Sequence, residues 1–304
     1  MSTPTHTPLE KYALLSDMRT AALVSEEGSI DWLCVPRFDS QAVFTALLGS
    51  EEHGHWLIDA PGGHVSSRRY VGDSFVLETT WTTPTGTATV TDFMPLDSDG
   101  RTYRCTDLMR VVRCTGGRVD IRNVMRLRFD YGRATPLYRY RVFDPENNIA
   151  EILSMAGPDS IHLRGPYLTL HEDSNAHTGI FHLTEGEQLE WVLTWFPSYL
   201  EVPASPDYSK ARDVTMQTWE TWAQGSTYSG EYQEEVHRSL LVLKALTDAE
   251  TGGMVASPTT SLPEEFGGER NWDYRYCWLR DAALSLEALL THDHVNAEIG
   301  RAHV

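Results

Sequence analysis

In VDIRNVMRLRFDY, Val119, Ile121, Met125, Leu127 and Phe129 alternate with Asp120, Arg122, Arg126, Arg128 and Asp130. That period of two puts one face of a strand inside and the other in water. QLEWVLTWF repeats it with Leu189, Trp191, Leu193 and Trp195, and SFVLETTWTT and TATVTDFMP flank Pro84 and Gly86 as a hairpin. Near the start, RTAALVSEEGSIDWLCV predicts a second hairpin that turns at Gly28. Several such strands, parted by Gly, Pro, Asp and Asn, predict an antiparallel β-sandwich.

After about residue 210 the period changes. In EYQEEVHRSLLVLKALT, Tyr232, Val236, Leu240 and Leu243 share one helical face. A loop rich in Gly, Pro, Ser and Thr follows at 251–270, and from Leu279 onward Ala282, Leu286, Leu289 and Leu290 form a second apolar stripe. Strands first and helices second is the order of separate β and α units. The predicted domains are a β-sandwich over 1–225 and a helical unit over 226–297, with 298–304 set apart as a tail.

The chain has 304 residues, longer than the roughly 100–200 of a single domain. Its 25 Lys and Arg stand against 43 Asp and Glu, a formal charge of -18, with no basic run. That balance argues against nucleic acid as a partner. No apolar run reaches the about 18 residues of a membrane helix, and MSTPTHTPLEKYALL lacks the basic-then-apolar pattern of a signal peptide. No membrane association and a cytoplasmic location are the expectations. Cys34, Cys105, Cys114 and Cys277 have no CxxC pairing and are expected as reduced, mostly buried thiols. No phosphate loop, nucleophile elbow or zinc helix is present, so neither a cofactor nor a metal is expected.

The densest chemistry lies in NWDYRYCWLRDA, residues 271–282, where four large aromatics, two arginines and two aspartates share twelve positions. Two readings fit it. The stretch precedes a helix, so an Arg–Asp pair in the first turn with packed aromatics around it is a sound structural arrangement. The same residue types also suit a sugar, which offers C–H faces to stack on and hydroxyls to bond to charged groups. Cys277 has nothing beside it to activate a nucleophile.

The run PTTSLPEEFGGERNWDYRYCWLRDAALSLEALL, together with KYALLSDMRTAALVSEEGSIDWLCVPRFDS near the start, resembles bacterial members of glycoside hydrolase family 15, above all the trehalase-like branch. The likeness extends from residue 9 to about 297. It implies an N-terminal β-sandwich, a linker helix and the first helix of an (α/α)6 barrel. It further implies that Tyr274, Trp278, Arg280 and Asp281 line the subsite for a non-reducing-end glucose. Asp281 and Arg280 would hold outer hydroxyls, Tyr274 and Trp278 would wall the apolar side, and Trp272 is added at a position that varies within the family. The implied partner is a small carbohydrate, trehalose or an α-glucan.

The family is similar to other inverting glycosidases, in which an acid and a base carboxyl stand ~6.5–9.5 Å apart. Its two catalytic glutamates lie deeper in the barrel and are expected beyond the truncation of this chain, leaving it inactive by itself. Glu264 and Glu265 are expected to be solvated loop residues. The last residues, EIGRAHV, match the translation of a common sequencing-library adapter (GAG ATC GGA AGA GCA CAC GTC), which would put the native end near Ala297. Asp17, Arg19, Asp31, Arg37 and Asp39 of the first motif are expected to pair with one another beneath sandwich loops. Two rivals remain open, a glucoamylase- or isomaltase-type specificity and a stand-alone carbohydrate-binding or structural sandwich.

Overall fold

A computed structural model describes residues 7–96, 105–144, 146, 149–265 and 267–292; the tail at 298–304 lies outside them. In chain order its first strands are β1 (Ala13–Ser16), β2 (Ala21–Val24), β3 (Ser29–Cys34), β4 (Ala42–Phe44), β5 (His55–Asp59), β6 (His64–Tyr70), β7 (Leu77–Thr83) and β8 (Gly86–Phe93). They continue with β9 (Thr106–Arg126), β10 (Leu137–Asp144), β11 (Ile149–Ala156), β12 (Asp159–Pro166), β13 (Thr169–His171), β14 (Ala176–Thr184) and β15 (Gln188–Pro197). All their pairings are antiparallel. Both expected hairpins form, β2–β3 through Gly28 at φ 83° and β7–β8 across Pro84.

Strand β9 joins two layers. Its first half pairs with β8 and β15, and beyond Gly117, at φ 68°, its second half pairs with β5 and β14. One layer runs β1-β2-β3-β5-β9 and the other continues β9-β15-β12-β11-β10. The core between them unites Trp56, Ile121 and Met125 with Val90, Val112, Leu163 and Trp191, the inward side chains of the period-two pattern. At its centre Arg110 is fully buried, its Nε 2.9 Å from Asp92 Oδ1, with Nη2 donating to Gly28 O at 2.7 Å and Nη1 to Trp56 O. A buried guanidinium is tolerable only when its donors are met in this way.

Two polar positions of the strand pattern are corrected. The alternation places Arg126 and Arg128 in water, but both are buried. Arg126 pairs with Glu52 at 2.6 Å, and Arg128 donates to Leu127 O and Ser174 O. The alternation in β15 fails as well, since Val192, Thr194 and Phe196 are buried beside Trp191, Leu193 and Trp195. Its second face is covered by a helix that the periodicity did not predict, α1 (Tyr208–Ala223), which sits on Val76, Phe93, Met109 and Val192.

Helix α2 (Gln233–Ala245) follows, then a two-stranded ribbon of β16 (Thr260–Pro263) and β17 (Asn271–Asp273) within and after the expected loop, then α3 (Leu279–Thr291). The predicted stripes of α2 and α3 meet, because Leu240, Val236 and Leu243 pack with Leu289, Leu286 and Ala282 around Met254. Tyr232 and Leu290 do not join them and are 66% and 48% exposed. The chain is thus mostly antiparallel sheet with three helices among the described residues. None of those helices is long and apolar enough to cross a membrane.

Candidate saccharide-binding site

The two motifs quoted from the sequence meet in space. Ser16 Oγ donates to Ala245 O at the end of α2, and Ala249 N–H donates to Met18 O. Trp32, fully buried in β3, donates Nε1–H to Pro258 O at 2.7 Å and holds the loop that leads into the aromatic motif. That loop is tied to the motif by its backbone, with Ala256 N–H to Tyr276 O and Ser257 N–H to Tyr274 O at 3.0 Å.

Three of the five expected site residues form one aromatic group. Tyr274 stacks on Trp278 with centroids 5.8 Å apart and planes 28° apart, and Trp272 meets the Trp278 ring edge-on at 6.4 Å. Trp278 is the N-cap of α3 and donates Nε1–H to Asp273 O at 3.1 Å. Trp272 is half exposed and its Nε1 lies 3.4 Å from Glu264 Oε1, so Glu264 is a loop residue at the edge of the group.

Asp281 and Arg280 sit in the first turn of α3, as the pattern implied. Asp281 Oδ2 is buried without a hydrogen-bond partner, and its Arg280 neighbour approaches only to 3.5 Å. Asp281 lines a cavity of about 220 Å³ with Ser285, Leu284 and residues 254–256. Arg280 does not join the aromatics, since its side chain is 81% exposed. That cavity includes none of the three aromatics, so the structure presents an unmet carboxylate acceptor, which can take a sugar hydroxyl, and a separate pair of stacked rings, which can take an apolar sugar face.

Below the aromatics lies a pair that sequence reasoning left without a role. Asp273 accepts from Arg275 Nε at 2.9 Å and Nη2 at 2.7 Å. Arg275 is 5% exposed, and its Nη1 donates to Ser40 O at 2.7 Å and reaches Cys34 Sγ at 3.5 Å. Burial pushes the Asp273 carboxyl up, but the hydrogen bonds and charge of Arg275 outweigh it and hold it below the usual range. Burial pushes the Cys34 thiol up to about 12 despite Arg275, so it stays a thiol. The sequence signal for this pair is weak, because an Asp-x-Arg unit is common and its other partners are far away in the chain.

The charges of the first motif are only partly paired with one another. Arg37 and Asp39 form a two-pronged bond at 2.9 and 2.6 Å. Asp17 instead accepts the backbone N–H groups of Arg19 and Thr20, and Asp31 accepts from Tyr12 and Ser29 hydroxyls. A larger groove of about 1130 Å³ runs over the sandwich past Tyr12, Asp31 and Arg122. Two ion pairs lie along it, Lys11 to Glu26 and Arg122 to Asp59, and it contains none of the expected site residues. Among the described residues no His, Cys, Asp and Glu cluster could hold a metal ion.

Residues 1–179 match the family model "Trehalase-like, N-terminal", and residues 230–301 match "Glycosyl hydrolases family 15". The first match covers more than half of the chain. The chain belongs to the trehalase-like family. It is 37% identical to a trehalase of Mycolicibacterium smegmatis over 93% of this chain and 45% of that protein. A trehalase of Mycobacterium tuberculosis is 35% identical over 93% and 44%, and one of Thermoplasma volcanium is 32% identical over 92% and 44%. The chain therefore spans just under half the length of these trehalase-like relatives.

Proposed function

We propose that this chain is the N-terminal part of a trehalase-type glycoside hydrolase and supplies one wall of its glucosyl subsite. The observation that carries the reading is the Tyr274–Trp278 stack at the N-cap of α3, together with Asp281 in the first turn of the same helix, whose buried Oδ2 has no hydrogen-bond partner. Tyr274 and Trp278 take the C–H face of the sugar, Asp281 accepts from its hydroxyls, and Trp272 flanks the opening. Arg280 is solvent-facing here and turns onto the sugar when it binds.

The unit over 1–225 is read as the sandwich, and 226–297 as the opening helices of an (α/α)6 barrel. Inverting hydrolysis needs an acid and a base carboxyl ~6.5–9.5 Å apart on opposite faces of the sugar. We assign neither to a residue of this chain and place both in the part of the relatives that it does not match. The substrate is trehalose in this reading; the family's trehalase names support it over glucoamylase- or isomaltase-type specificity. The chain alone binds sugar and releases no glucose.

Calorimetric titration of the 304-residue chain with trehalose and maltose tests this. Weak binding that Trp278→Ala abolishes is expected, with no glucose released. Absence of binding, or binding that survives Trp278→Ala, overturns the subsite; glucose release overturns the placement of the catalytic pair.

A further inference from the structure

Arg275 is the one side chain in the aromatic motif that grips both units at once. It lies two residues beyond β17, and its Nε and Nη2 hold both carboxylate oxygens of Asp273, while its own backbone N–H donates to the same Oδ1 at 3.1 Å. Its Nη1 reaches across to Ser40 O, an acceptor that also lies 3.4 Å from the Tyr131 hydroxyl. The guanidinium sits 5.5 Å from the centre of the Tyr131 ring. That ring is held by two successive left-handed residues, Asp130 at φ 50° and Tyr131 at φ 54°, a conformation that side chains other than glycine adopt at a cost. The Tyr131 backbone N–H in turn donates to Ala42 O of β4.

The other end of the chain of contacts reaches the sugar wall. Asp273, clamped by Arg275, presents its carbonyl to Trp278 Nε1, and Trp278 stacks on Tyr274. We propose that Arg275 is a positioning residue through which the sandwich sets the orientation of the Trp278–Tyr274 wall. The inference rests on the saccharide-subsite reading but names a residue and a route that the reading does not contain. A planar fork makes both links in fixed geometry, with two prongs on the carboxylate and a third donor on the carbonyl, whereas the compact ammonium of a lysine cannot reproduce the two-pronged grip while also reaching the carbonyl from the same position. Arg275 itself is buried and touches no sugar; its effect passes through Asp273.

The test uses the 304-residue chain labelled with 5-fluorotryptophan, whose nine tryptophan lines are assigned by single Trp→Phe variants. In Arg275→Lys the Trp278 line is expected to move and broaden, with the Trp56 and Trp191 lines of the sandwich core unmoved. Trehalose affinity is expected to fall on the order of tenfold, since small misplacements of a binding wall are costly. An unmoved Trp278 line overturns the proposal whether or not the chain binds sugar. So does a shift of all nine lines, which would make Arg275 a general folding residue, and so does unchanged affinity alongside a moved line. If the Trp278 line moves alone but the unsubstituted chain binds no saccharide, the positioning link stands and the subsite reading falls. Asp273→Asn is the companion variant should Arg275→Lys fail to fold: it keeps the backbone carbonyl for Trp278 but weakens the fork, and the same line is expected to move.

Discussion

The sandwich and the helical segment after it are built on different terms. The sandwich closes over its own core: more than thirty buried side chains form one cluster, and the one fully buried guanidinium among the described residues, Arg110, finds Asp92, Gly28 O and Trp56 O inside the same unit. The α2–α3 segment has a small core of Leu240, Met254 and Leu289, while Leu279, Leu284 and Leu290 remain 87%, 61% and 48% exposed. Its place is set from outside, by Trp32 on Pro258 and Arg275 on Ser40. A unit that buries its apolar surface needs no neighbour, whereas a helix with an open apolar face is part of something larger or held by something else.

The largest effect that would break this contrast lies at the centre of the sandwich. Asp92→Ala leaves Arg110 charged and buried with two of its four hydrogen bonds lost, and removal of one partner from a buried pair costs about 3–5 kcal/mol. Chemical denaturation should show the midpoint of the whole chain falling accordingly, with the α2–α3 segment lost in the same transition because its anchors are gone. A helical signal that survives unfolding of the Asp92→Ala sandwich would mean that the helical segment is the independent unit.

The same contrast explains what could be read from the chain beforehand. Strands such as β9 and the α2 and α3 stripes were legible because their partner surface is simple, one apolar layer at period two or 3.6. Helix α1 was not, because its buried side is Ala211, Thr215, Trp219 and Ala223, four residues apart and without an aliphatic stripe. Its start carried a signal nonetheless, since Asp207 caps the helix by accepting from Lys210 N–H at 2.9 Å. Arg126 and Arg128 read as solvent-facing because their partners, Glu52 and Ser174, come from other parts of the chain. The aromatic members of the candidate site were visible in one twelve-residue stretch. The role of Arg275 was not, because Ser40 and Cys34 are 235 and 241 positions away.

A middle-sized effect probes the seam. Asp17 shapes the turn between β1 and β2 that holds the end of α2, and burial pushes its carboxyl up to about 6 against the pull of the Thr20 and Arg19 N–H groups. Between about pH 4 and 6 the folded chain therefore holds a proton that the unfolded chain has lost, so stability falls as pH rises through that window. His55 and His177, lowered to about 4 by burial, act in the opposite sense up to about pH 6.5. The comparison must accordingly be between variant and parent. Asp17→Asn keeps an oxygen for both N–H groups and removes the charge. It should leave stability unchanged near pH 4 and raise it by on the order of 1–2 kcal/mol above pH 6.5. No gain in denaturation midpoint at pH 7.5 would show that Asp17 is ionised there without penalty.

The smallest expected effect is the one that tests the open face directly. Leu284 lies on α3 and is 61% exposed, so Leu284→Gln removes an apolar side chain that meets mostly water. Substitutions at such positions stay within about 0.5 kcal/mol, and the helix propensity of Gln is close to that of Leu. An unchanged thermal midpoint, together with reduced binding of a hydrophobic dye, is the expected pair of results. A loss above about 1 kcal/mol would mean that something already covers the face in solution. Sedimentation over a range of concentrations would then separate the two ways this can happen. A concentration-dependent mass that Leu284→Gln abolishes would make a second copy of the chain the cover. A constant monomer mass would place the cover within the chain itself and make the helical segment as self-sufficient as the sandwich.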